Sequence, residues 1–76
     1  MNYNENNKGA HSMYKFQLAR AYNPQLSNES AVQVLNRWIA KSPELTEQLR
    51  DAGYSKWQKI LTPAQVQVII NHLGRP

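Results

Sequence analysis

The chain has 76 residues, with nine Lys and Arg against five Asp and Glu, a formal charge of +4 and no cysteine. That length bounds the molecule to one domain with a core drawn from about sixty residues, and the missing thiols exclude a disulfide scaffold and a thiolate metal site. The basic excess suits a nucleic acid or another anionic surface as partner.

Residues 1–12, MNYNENNKGAHS, are rich in Asn and carry no helical or strand period, so a disordered tail is expected there. They lack the apolar run of a signal peptide. The longest aliphatic run elsewhere, Val68-Ile69-Ile70, is far short of the ~20 residues that span a bilayer. The expectation is a protein without a membrane partner, in the reducing cytoplasm, with a single domain over 13–76.

The spacing predicts a first helix from about Met13 to Tyr22, capped by Ser12, with Tyr14, Leu18, Ala21 and Tyr22 recurring along it. Asn23-Pro24 ends it, because the residue before a proline is pushed out of helical geometry. A short turn leads to the second helix, capped by Ser27 or Asn28, with Glu29 complementing the helix dipole and Leu26 placed to staple its start. Ala31, Val34, Leu35, Trp38 and Ile39 fall on one face of that helix and are expected in the core. Gln33, Asn36, Arg37 and Lys41 fall on the other side.

Pro43 stops this helix and starts the next. Ser42 caps the third helix, Pro43 takes its first position, Leu45, Leu49 and Ala52 mark its buried edge, and Gly53 suits its left-handed end. Residues Tyr54 to Leu61, YSKWQKIL, carry no helix signal and read as a loop or a short extended piece. Thr62-Pro63-Ala64-Gln65 then combines a capping threonine, a first-position proline and the Gln of a capping box. Val66, Ile69, Ile70 and Leu73 form the stripe of a fourth helix that Gly74 closes. The expected fold is all-α, a compact bundle of about four short helices, helix-turn-helix-like, around Leu18, Val34, Leu35, Trp38, Leu49, Val66, Ile69, Ile70 and Leu73.

Catalysis and cofactors are not expected. His11 and His72 have no partners spaced to form a metal site, and Glu44, Glu47 and Asp51 at i, i+3 and i+7 match a solvated helix face. The three glycines are isolated, so no phosphate-cradling loop exists.

Binding is better supported. A short helix, a turn and a second helix with polar residues outward is the grammar of a helix-turn-helix. Gln33, Asn36 and Arg37 have side chains that pair with base edges in the major groove of double-stranded DNA, while Lys41 and Arg20 would take phosphates. Lys56 and Lys59, interleaved with Tyr54 and Trp57, would act as a wing on the backbone or stack on a base. In so small a chain, Trp57 and Ile60 are more expected to fold back over the core. The alternative to DNA is a protein-interaction module whose exposed helical face docks a protein partner or a second copy.

The segments LARAY, SAVQVLNRWIAKSPELTEQLRDAGY and LTPAQVQVIINHLGRP resemble a family of short proteins of Bacteroides-type gut bacteria that is described as a domain of unknown function. The resemblance covers roughly Tyr14 to Pro76. It is most specific at Arg37-Trp38-Ile39, Pro43-Glu44-Leu45, Ala52-Gly53-Tyr54, Thr62 to Val66 and His72-Leu73-Gly74. Gln17 stands where the family usually has Glu. The resemblance implies a small helical fold and no defined activity. More loosely, the Trp-bearing second helix behind a supporting helix is similar to the helix-turn-helix of excisionase-like regulators.

Overall fold

The computed structural model describes residues 11–76. The chain runs β1 (Met13–Tyr14), α1 (Lys15–Tyr22), α2 (Asn28–Lys41), α3 (Pro43–Asp51), β2 (Ile60–Leu61) and α4 (Pro63–Leu73). The expected tail falls mostly on residues 1–10, which lie outside the described residues; His11 and Ser12 are exposed and irregular.

The helix boundaries follow the capping residues. The Ser27 hydroxyl accepts from the Ser30 amide at 3.1 Å, which fixes the start of α2. Ser42 ends α2 and caps α3 at once, accepting from the Leu45 amide at 3.1 Å with Pro43 in the first turn. Gly53 takes φ +80° after α3, letting the Tyr54 amide turn back to the Leu49 carbonyl at 2.9 Å. Thr62 and Gln65 form the capping box of α4: the Gln65 amide donates to the Thr62 hydroxyl and the Thr62 amide to the Gln65 side chain.

The fold is not purely all-α. Met13 and Tyr14 are extended and pair antiparallel with Leu61 and Ile60, so the first helix begins two residues later than its spacing predicts. Its cap is Tyr14 and not Ser12, with the Tyr14 amide donating to the Gln17 side chain at 3.0 Å. The inward stripe is correspondingly rotated. Lys15, Leu18 and Ala19 are buried, whereas Tyr14 and Ala21, expected on it, are exposed.

The core is one cluster of Leu18, Ala19, Ala31, Leu35, Ile39, Leu45, Leu49, Leu61, Val66 and Ile69, contributed by all four helices and β2. Trp38, Ile70 and Leu73, expected inside, are half-buried against its margin, and Val34, also expected inside, is half-buried. Trp38 meets Tyr22 edge-to-face with ring centroids 6.0 Å apart, and the Tyr22 hydroxyl donates to the Gly74 carbonyl, joining α1 to the end of α4. Helix α1 packs along α2, and α3 lies between α2 and α4. This leaves one side of α2 facing solvent beside residues 54–59.

Candidate nucleic-acid interface

A buried lysine organises this side of the molecule. Lys15 opens α1 on its inward stripe and is only 3% exposed. Its Nζ donates to Asn36 Oδ1 at 2.6 Å and to the Lys56 carbonyl at 2.8 Å, and lies 5.0 Å from the Tyr54 ring centroid. Its own amide donates to the Lys59 carbonyl at 2.7 Å, extending the ribbon by one bond. One residue thus ties α1, α2 and the 54–59 loop together. Burial, and secondarily the charge of Lys56, lowers its pKa to about 8.

The loop is pinned from within at a second point. Gln58 Oε1 accepts from the Ser55 amide at 2.7 Å, and Gln58 Nε2 donates to the Ile60 carbonyl at 2.8 Å and to Gln65 Oε1 at 2.7 Å. Gln65, fully buried, passes the connection on by donating to the Ala52 carbonyl at 3.0 Å. Every polar atom of that buried amide therefore has a partner, as burial demands. Tyr54 closes the inner side of the loop. Burial pushes its hydroxyl up to about 12, and the hydroxyl has no hydrogen-bond partner among the described residues.

With its backbone held below, the loop turns its other side chains out. Trp57 is 78% exposed and Ile60 53%, so the expectation that both fold over the core is corrected. The inward positions go instead to Leu61, which the ribbon turns to the core opposite the exposed Ile60, and to Gln58, which its hydrogen bonds to Ser55, Ile60 and Gln65 hold in place. Lys56 Nζ sits 4.9 Å from the Trp57 ring centroid.

Three adjoining hollows cover this surface, and Asn36 and Lys56 line all three. Gln33, Arg37 and Trp57 border the one along the outer face of α2. Tyr14, Phe16, Trp57 and Lys59 border a groove of about 390 Å³ between the start of α1 and the loop. Thr46, Arg50 and Tyr54 border the third. Lys15, Arg37, Arg50, Lys56 and Lys59 all line these hollows, and no carboxylate does. Among the described residues no Lys or Arg is paired with a carboxylate. The ion contact there is His72 with Glu44 at 3.9 Å, at the α3–α4 end.

Of the residues singled out in the sequence, Gln33, Asn36, Arg37, Lys56 and Lys59 come together here. Asn36 has its side-chain oxygen committed to Lys15, which leaves its amide nitrogen to face a ligand. Lys41 lies apart, beside Tyr22, Trp38 and Leu73. Arg20 is also apart: its guanidinium closes the α1–α2 turn on Asn28 Oδ1 at 3.0 Å and the Pro24 carbonyl at 3.2 Å. Sequence reasoning missed Lys15, Tyr14 and Phe16. A lysine at i−3 and i−4 from Leu18 and Ala19 was the available signal for the first.

Among the described residues no three of His, Cys, Asp and Glu converge as a metal site would need, and no helix is long and apolar enough to cross a membrane. Neither a curated protein nor a solved structure matches the chain. One family model does, the domain of unknown function DUF4248, across residues 10–76.

Proposed function

The chain belongs to the DUF4248 family, whose function is unknown, and from that premise we propose that it is a nucleic-acid-binding module that grips double-stranded DNA. The reading is helix-turn-helix-like: α1 supports α2, α2 offers Gln33 and Arg37 to base edges, and the 54–59 loop sets Lys56 and Lys59 on phosphates. The observation that carries it is the run of cations along three adjoining hollows without one carboxylate. In a chain with five acidic residues, such a surface is a polyanion's electrostatic complement. On this reading the chain has a regulatory or accessory role and works in the cytoplasm, where a fold without disulfides is at home. Arg20 and Lys41, outside the hollows, would add peripheral phosphate contacts.

The test is titration of a labelled duplex at low salt. If Arg37, Lys56 and Lys59 each neutralise a phosphate, affinity falls roughly 40-fold between about 50 and 200 mM salt, from a slope of about −0.9 per contact. Arg37→Ala weakens binding and leaves the circular dichroism spectrum unchanged. A duplex that leaves every amide shift in place at high micromolar protein sinks the proposal.

A second reading has its own support. Tyr14, Phe16, Trp57 and Ile60 are large apolar side chains left in solvent on one side of the molecule, a composition that also suits a protein partner or a second copy. A mass by light scattering that rises with concentration would favour it.

A further inference from the structure

The groove between the start of α1 and the 54–59 loop differs in chemistry from the outer face of α2. The α2 face is polar, with Gln33 and Arg37. The groove is aromatic. Tyr14 and Phe16 are stacked, with centroids 5.5 Å apart and planes 26° from parallel, and both stand partly in solvent. Two residues at i, i+2 do not share a helix face; they meet here because Tyr14 is extended while Phe16 is helical. Trp57 lines the same groove, with Lys56 against its ring and Lys59 beside it.

We propose that this groove is a base-stacking site for single-stranded nucleic acid, Trp57 and the Tyr14–Phe16 pair taking unpaired bases while Lys56 and Lys59 hold the backbone. The proposal rests on the nucleic-acid reading and deepens it by naming the strand state the groove accepts. A π-face recognises any base whose own face is free, and only an unpaired or extruded base offers one. The lysines, with no carboxylate among the lining residues, give the groove the sign of charge that a phosphate backbone requires. An acidic peptide would match the charge but not the repeated flat surfaces. The rings need little ordering on binding, because Lys15 and Gln58 already hold the loop that carries Trp57.

The test uses the full chain and two labelled probes in fluorescence anisotropy at low salt: an oligothymidylate of roughly 12 nucleotides and a duplex of the same length. The single strand is expected to bind and to quench tryptophan emission. Trp57→Ala should weaken single-strand binding by about 5- to 150-fold, the effect of losing one base stack, and change duplex binding less than about twofold. Trp57→Phe, which keeps a ring, should restore most of the loss. Trp57 is solvent-exposed, so both variants are expected to fold, and circular dichroism checks it. If the duplex binds and the single strand does not, or if the alanine and phenylalanine variants bind the single strand alike, the stacking site is overturned while the duplex reading stands. If neither probe binds, both fall. Self-association that Trp57→Ala abolishes, with no binding of the single strand, overturns the proposal in favour of a second copy of the chain.

Discussion

Leu45, Leu49, Val66 and Ile69 join α3 to α4 through apolar side chains from which water is excluded, whereas residues 13–15 meet residues 56–61 through a buried lysine and a short ribbon. The two seams resist different insults. Apolar burial is non-directional and tolerates small shifts. Hydrogen bonds in a dry setting hold a loop to one geometry and are costly when half-broken. The apolar seam carries the stability of the fold, and the polar seam positions the surface on which the proposed function depends.

Substitutions sharpen that contrast. Leu49→Ala, deep in the apolar seam, should cost about 3–5 kcal/mol in urea unfolding by leaving a cavity at a fully buried position. Lys15→Ala should cost less, about 2–3 kcal/mol: it strips Asn36 and the Lys56 carbonyl of their donor but also relieves the desolvation of a buried ammonium. Its distinguishing sign is local: amides of residues 55–59 should exchange faster in this variant beyond what its global stability explains. If they do not, the loop is held by packing and the contrast fails. Thr62→Ala, which removes one cap of α4, should cost about 1 kcal/mol and leave the loop as it was.

The polar seam also shows itself in pH. Lys15 titrates at about 8 when folded against 10.5 in its ordinary state, so between those values the unfolded chain binds the extra proton and stability rises with pH. Tyr54 acts in the opposite sense. Its hydroxyl, raised from 10.0 to about 12, keeps in the folded chain a proton that the unfolded chain releases, so stability falls above pH 10. The urea midpoint should therefore climb from about pH 8 toward 10 and decline beyond it, and Lys15→Met should flatten the climb.

The two seams also differ in how they stand in the sequence. Ser42-Pro43, Thr62-Pro63-Ala64-Gln65, Gly53 and Gly74 each announce a boundary through local chemistry, and the structure puts a boundary at each. Helical spacing also marks Leu45, Leu49, Val66 and Ile69, which are buried, whereas Ala52, Ile70 and Leu73 from the same expected faces are half-buried. The polar seam has no such local signature. Lys15 is buried because Asn36 and the Lys56 carbonyl, both distant in sequence, can satisfy it, and a lone lysine beside apolar residues reads as solvated. Tyr14 continues the helical spacing of Leu18 and Tyr22, so the pairing of Met13 and Tyr14 with Leu61 and Ile60 overrides a local preference with a long-range one. Trp57 misled for a related cause. Its size argues for burial, but Gln58 and Leu61 already fill the inward positions of that segment. Of the cations of the site, Arg37, Lys56 and Lys59 were legible one by one, and Lys15 and Arg50 were not. Their collection on a surface free of carboxylates needed the fold.

The ribbon of Met13–Tyr14 with Ile60–Leu61 has a kinetic consequence. Helices α1, α2 and α3 meet partners that are their neighbours along the chain, but the ribbon closes a loop that contains all three. The entropy of such a closure places it late in folding, and its two pairs make it an early place to open again. Tyr14, Lys15 and Lys59 all sit on the ribbon or its one-bond extension, so a single fluctuation would take both walls of the aromatic groove apart together. Filling the groove would then register as slower hydrogen exchange at the Lys15 amide, a group that no ligand atom has to touch.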